Sequence, residues 1–406
     1  MKKRVLHTGL LSFENLKAKP VRSACLMVVA AILAFTLFGG SILVLNLRQG
    51  LATMTKRFGA DLMVVPEGAS EKAQSILLRG AVSYFYFDEE VVDRIARTEG
   101  IASASPQFFL TSLSESCCDA MVQLIAYDPE TDFVVQPWMA ERYSGSVGEG
   151  QIVAGSRIAI RPDGTIKILG HNYPVAARLS RSASGLDTSV FMTMDTMRLL
   201  IGRARAGGYD FLAVQEKEMR RGAVSAVLVK ADPPNSPARL AQTIGRENAG
   251  VDVVVSQSVF SGISETLAGL IDYIRLFSVI LWILAFIILT VVFSGSIHER
   301  KKEFAVLRIL GATRRKLAGM VLGESALTCV SGGAAGIVLA SLVVFPFSTL
   351  IGERLGLPWL DAPFFSITLL ALGSLLLSAL AGPLASLYSA LRISRAETYY
   401  TMREGE

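Results

Sequence analysis

Two adjacent thiols, Cys117 and Cys118, stand in the run Ser-Glu-Ser-Cys-Cys-Asp-Ala-Met, and no other residues here suit covalent or metal chemistry better. A disulfide between immediate neighbours closes a strained small ring. The polar region around them offers no third cysteine, since Cys25 and Cys329 fall in apolar runs where a thiol packs as a small hydrophobe. In an oxidising compartment such a pair invites a function. The thiols could exchange with a redox partner, or hold a soft metal together with Met121 and Met139. Two half-buried thiols at a turn would read the same way.

Other chemistry is scarce. No Gly-x4-Gly-Lys-Ser/Thr phosphate loop occurs, so the chain is not expected to hydrolyse ATP itself. His7, His171 and His298 are scattered, which argues against a histidine metal cluster or a catalytic triad. Within apolar sequence, Glu324 lies eight residues beyond Lys316, about 12 Å along a helix. An acid at that depth is costly unless it faces protein or water, which makes it a functional candidate; a longer polar lead-in would leave it at the interface instead. Gly332, Gly336 and Ala340, spaced four apart, give one helix face a smooth groove for packing or dimerisation.

The elements that carry these residues follow from composition. Hydrophobic residues make up 51% and charged ones 18%, with a mean hydropathy of +0.45, too apolar for an ordinary soluble protein. Four runs, 24–45, 276–293, 317–344 and 364–387, are long enough to cross a bilayer as helices. Lys and Arg crowd the lead before the first run, the segment between the second and third, and the tail. The positive-inside rule therefore puts both termini and that middle segment in the cytoplasm. The net charge of +5 follows from this layout and argues little for nucleic acid.

The resulting layout is a cytoplasmic segment 1–23, helix 24–45, an extracytoplasmic domain 46–270, helix 271–296, a cytoplasmic segment 297–316, helix 317–350, an outer loop 351–363, helix 364–391 and a tail 392–406. The first run is expected to be retained rather than cleaved. Its charged lead exceeds twenty residues, and Asn46-Leu47-Arg48-Gln49-Gly50 lacks a small-x-small pattern. Leu10, Leu11, Phe13 and Leu16 suit a short helix lying on the inner surface.

Between the first two spans the sequence reads as mixed α/β. Strands are expected at 61–65, 105–113, 120–127, 189–193, 223–230 and 251–256, with a hairpin over 164–178 after the Gly-rich stretch 144–155. Helices are expected from Asp88, as its cap, to Gly100, from Asp195 onward, and over 236–246.

The segment from 298 to 316, His-Glu-Arg-Lys-Lys-Glu-Phe-Ala-Val-Leu-Arg-Ile-Leu-Gly-Ala-Thr-Arg-Arg-Lys, resembles the cytoplasmic coupling segment of FtsX/MacB-type ABC transporter permeases. Asn15-Leu16 through Arg22-Ser23 resembles the lead-in of the same family, and Pro383, Ala385 and Ala390 through Glu397 its last helix and exit. The proline usual before that final Glu is replaced by Arg395-Ala396. The resemblance implies four transmembrane helices with a large MacB-like α/β domain, often two-lobed, between the first and second. It also implies a bacterial inner-membrane location and a separate cytoplasmic ATPase that holds the ATP and docks on Glu299, Glu303, Arg308 and Gly311. A homodimer or a related permease chain, and a periplasmic protein partner, are implied as well. In this family ATP-driven closure often works the external domain mechanically.

The stretches 59–66 and 117–138 also look like a permease subgroup associated with metal-uptake gene sets. Three functions are therefore open: a mechanotransmitting or exporting permease, a metal or redox-linked permease using Cys117 and Cys118, and a membrane-anchored sensor or scaffold.

Overall fold

The computed structural model describes residues 20–112, 118–233, 235–309, 311–354 and 358–395. The surface helix expected before residue 20 and the tail beyond 395 lie outside the described residues. The chain divides into two compact units. One is built from residues up to 46, 268–350 and from 361 on, the other from 47–267 and 351–360.

In chain order the elements are α1 (Pro20–Phe58), β1 (Leu62–Pro66), α2 (Ser70–Arg79), α3 (Glu90–Ala96), β2 (Ile101–Thr111), β3 (Gln123–Tyr127), α4 (Val135–Met139) and β4 (Ile152–Ala154). Then come β5 (Thr165–Ile168), β6 (His171–Arg178), β7 (Ser189–Thr193), α5 (Met194–Ala206), α6 (Ala213–Arg220), β8 (Ala226–Ala231), α7 (Pro237–Glu247) and β9 (Val251–Val255). The chain finishes with α8 (Ser256–Glu299), α9 (Lys301–Ile309), α10 (Arg314–Arg354) and α11 (Phe364–Arg395).

The nine described strands form one mixed sheet, ordered β5-β6-β4-β7-β3-β2-β8-β1-β9. Pairing is antiparallel except for β3 with β7 and β4 with β6. Alternation along each strand separates two cores. Phe109, Ile125 and Phe191 face one side, where Ile76 of α2 and Trp138 of α4 cover them. Phe108, Leu124 and Met192 face the other side, under Leu200 of α5 and Met219 of α6. Towards β9 that second side is covered by Ile95 of α3 and Ile244 of α7.

Local chemistry sets the boundaries. The Thr193 hydroxyl accepts from the Thr196 N–H at 3.2 Å and starts α5 directly out of β7. The expected cap by Asp88 is not what starts α3. The helix opens after Glu89 with no side-chain bond, since backbone turns at 91 and 92 already satisfy its first amides, and it ends at Ala96, short of Gly100.

α1, α8, α10 and α11 are each long and apolar enough to cross a membrane. α1 and α8 outrun the apolar runs of the sequence at one end. Residues 47–58 and 256–267 stay helical because Met54, Phe58 and Phe260 bury into the sheet domain's core. In the bundle, Leu33 of α1, Leu289 of α8, Cys329 of α10 and Ala381 of α11 meet in one cluster. The outward faces stay apolar, with Phe277, Ile280, Leu284 and Ile287 of α8 and Leu369, Leu372 and Leu376 of α11 all exposed. Such a belt suits a hydrocarbon surround rather than water.

Candidate functional site

The charged segment between α8 and α10 folds as a short helix with a defined stop at each end. Arg300 is a single non-helical residue between α8 and α9. At the other end Gly311 takes φ +94, its N–H bonds the Arg308 carbonyl at 3.0 Å, and the Ala312 N–H bonds Leu307 at 2.9 Å. That pair of bonds is a Schellman stop, and only glycine adopts its left-handed residue without strain. Leu307 and Ala312 also share an apolar cluster, the contact that accompanies this motif. Two residues on, the Thr313 hydroxyl accepts from the Lys316 N–H at 3.4 Å and opens α10.

α9 presents two faces. Phe304 and Ala305 are buried, and Phe304 packs with Ile297 of α8 and Leu317 and Val321 of α10. Glu303, Val306 and Ile309 point outward, and the two apolar ones are 51% and 64% exposed. Arg308 is half-buried and Glu299 exposed. The residues expected to dock an ATPase thus lie on or beside one short helix. Val306 and Ile309, which the sequence reading did not single out, supply its exposed apolar surface.

Glu324 is not isolated. Arg300 donates from Nη1 to its carboxylate at 2.8 Å, and from Nε to Glu303 at 2.8 Å. The Arg300 guanidinium also lies over the Phe304 ring at 5.3 Å. Burial alone would weaken its charge, but the bonds to Glu303 and Glu324 outweigh that and hold its pKa above the ordinary value. Arg300 was missed because its partner is 24 residues away on another helix. The i,i+3 spacing to Glu303 was the one available sign.

The groove of Gly332, Gly336 and Ala340 is filled by α1. A Cβ at Gly332 would run into the Met27 carbonyl oxygen and Ala30 Cβ, and one at Gly336 into the Ala31 carbonyl. Ala340 is fully buried and faces Gly39. On its neighbouring face α10 meets α11 just as closely. Ser325 and Ser386 share a hydroxyl hydrogen bond at 3.0 Å, and the Ser378 hydroxyl donates to the Cys329 carbonyl at 3.2 Å.

The cysteine pair is only half in view, since Cys117 lies outside the described residues. Cys118 is half-buried against the core that holds Leu169, and its Sγ accepts from the Leu169 N–H at 3.2 Å. Asp119 beside it accepts from Arg161 at 2.5 Å and from the Lys167 N–H at 2.8 Å. Slight burial raises the Asp119 carboxyl, but these bonds outweigh it and leave its pKa below the usual range. Met121 is exposed, while Met139 is buried in the core on the opposite side of the sheet. The expected help from Met139 therefore fails, because the sheet stands between it and Cys118. Among the described residues no group of three or more His, Cys, Asp or Glu could hold a metal ion.

Serine at 118 keeps an acceptor for Leu169. Cys118→Ser is therefore expected to fold normally and to lose no more than about 1 kcal/mol, seen as a small Tm shift in detergent. A loss well beyond that would show that the sulfur's packing matters more than its hydrogen bond.

Residues 275–398, which contain α9, α10, α11 and most of the apolar part of α8, match the family model described as FtsX-like permease C-terminal. The likeness to FtsX-like permeases expected from the sequence is thus shown over this region. Among solved structures, the chain is similar to the periplasmic region of MacB from Actinobacillus actinomycetemcomitans, with 9% identity and a TM-score of 0.30, covering 51% of this chain and 94% of that one. It is also similar to the extracellular domain of the noncanonic ABC-type transporter YknZ from Gram-positive bacteria, with 10% identity and a TM-score of 0.27, covering 48% of this chain and 98% of that one. No curated protein matched the chain.

Proposed function

We propose, from the FtsX-like permease match over residues 275–398, that this chain is the membrane subunit of an ABC transporter. In this reading α1, α8, α10 and α11 span a bacterial inner membrane, the sheet domain is extracytoplasmic, and α9 lies at the cytoplasmic surface. A separate ATPase binds and hydrolyses ATP and docks on α9. Its closure moves the bundle and, through the continuous helices α1 and α8, works the sheet domain on a periplasmic partner. Two copies, or this chain and a related permease, would make the membrane part.

The observation that carries this reading is α9 itself. It is a short helix with a buried face on α8 and α10, and an outward face of Glu303, Val306 and Ile309. A segment that only fixed topology would have no need of exposed apolar residues on a rigidly capped helix. Val306 and Ile309 would fill a pocket on the ATPase, with Glu303, Arg308 and Glu299 setting register by charge.

The test is recovery of a phosphate-loop ATPase with the full-length tagged chain. Glu303→Lys or Arg308→Glu should lower that recovery at least tenfold, and permease-stimulated ATP turnover with it, while membrane insertion stays normal. Undiminished recovery with normal stimulated turnover would end the docking assignment.

A further inference from the structure

We infer that Arg300 is a positioning residue that passes movement of α9 to α10 through Glu324. The inference rests on the docking reading above. Arg300 occupies the break between α8 and α9, and its guanidinium reaches Glu303 on α9 and Glu324 on α10, each at 2.8 Å. The same group covers the Phe304 ring. One cation at the end of α8 therefore touches both α9 and α10.

The two links differ in character. Arg300 and Glu324 are 12% and 17% exposed, whereas Glu303 is 56% exposed. Solvent and salt screen the outer link far more than the inner one. Stability alone does not call for the inner pair, because buried ion pairs do no better than apolar residues of the same volume. Phe304, Ile297, Leu317 and Val321 already provide an apolar contact here. What the pair adds is direction. Apolar side chains can slide past one another, but a guanidinium on a carboxylate fixes one geometry.

The location fits that role. Helical structure is interrupted on both sides of α9, at Arg300 and at Gly311. Glu324 sits ten residues into α10, roughly 15 Å along its axis. A tilt of α9 would therefore pull on α10 well past its start, above the residues that α9 touches through Leu317 and Val321. Without the pair, α9 could rock on its apolar contacts while α10 stayed still.

The test uses the full chain with the ATPase that co-purifies with it, as Glu324→Gln, Arg300→Lys and Arg300→Gln. For Glu324→Gln, ATPase recovery should stay within twofold of wild type while stimulated ATP turnover falls at least tenfold. Arg300→Lys keeps the charge but loses the fork and should retain part of the stimulation, whereas Arg300→Gln should retain none. Amide hydrogen exchange in Glu324→Gln should rise at least tenfold over 301–309 and stay unchanged in α11.

Wild-type turnover in Glu324→Gln, or unchanged exchange over 301–309, would overturn the inference. So would a uniform rise in exchange across all helices, which would mark a staple for the whole bundle. If the wild-type chain recovers no ATPase, the docking reading fails by itself. Exchange confined to α9 would then still establish the tie between α9 and α10, and its absence would remove it.

Discussion

Gly336→Leu should destabilise the chain by about 2 kcal/mol or more, and its Tm and its yield from membranes should fall below those of wild type. A Cβ at this position would lie against the Ala31 carbonyl oxygen, with the Ala31 Cα 2.9 Å away. Both are backbone of α1, so no flexible side chain can yield. Glycine to leucine within a helix is favoured by intrinsic propensity by about 0.8–1 kcal/mol. Overpacking a fitted contact costs about 1–3 kcal/mol and sometimes more, and a clash with backbone belongs at the top of that range. The clash wins. Gly373→Leu is the control, since nothing lies within 4 Å of a Cβ there, and it should match wild type or exceed it slightly. Thermal unfolding in detergent, followed by circular dichroism, reads both. Equal behaviour of the two variants would mean that α1 and α10 do not meet along this groove.

Trp138→Ala should destabilise the sheet domain by about 3–5 kcal/mol. The indole is 3% exposed, meets Phe191 edge-on at 6.1 Å, and lies under the Arg57 guanidinium at 5.9 Å. Its Nε1 donates to the Ser180 carbonyl at 3.1 Å, and that acceptor would be orphaned by alanine. Glu141 belongs to the same cluster through its 2.5 Å pair with Arg57, but its side chain is 43% exposed. Glu141→Ala should therefore cost under about 1 kcal/mol. The ratio between the two variants, measured by thermal unfolding of the full chain, is the discriminating quantity. Comparable losses would show that the Arg57–Glu141 pair matters as much as the buried ring in fastening α1 to this part of the domain.

What the sequence revealed depended on how local each signal was. The four apolar helices were legible because hydropathy needs no partner. The ends of α1 and α8 that enter the sheet domain were not, since residues 47–58 carry ordinary polarity and stay helical by packing Met54 and Phe58 into that domain's core. β7 and α5 could be read from Ser189 onward because a short apolar run, Val190 to Met192, gives way to a capped helix within five residues. α4 could not. It has five residues, one of them Pro137, and depends on the Asp132 carboxylate accepting from the N–H groups of Val134, Val135 and Gln136.

At the candidate site, Gly311 was singled out only through the family resemblance, and its φ of +94 gives it a physical role as the helix stop. Arg300 with Glu324 was not legible, because pairing between helices leaves no trace in spacing. Met139 misled for a related reason. Closeness in sequence says nothing about which side of a sheet a residue serves, and this one lies across the strands from Cys118.

The contact of Gly332 and Gly336 with Met27 and Ala31 joins segments about 300 residues apart in the chain. At a synthesis rate of roughly 5–20 residues per second, α1 leaves the ribosome some 15–60 s before α10 exists. Throughout that interval the small-residue face of α1 has nothing to lie against, and Ala30 and Ala31 offer lipid only shallow relief. Until then that face of α1 lacks the packing surface it has in the folded chain. The duration of that interval is set by the length of the intervening sheet domain. Shortening that domain would hasten the meeting, and slowing translation within it would lengthen the exposure.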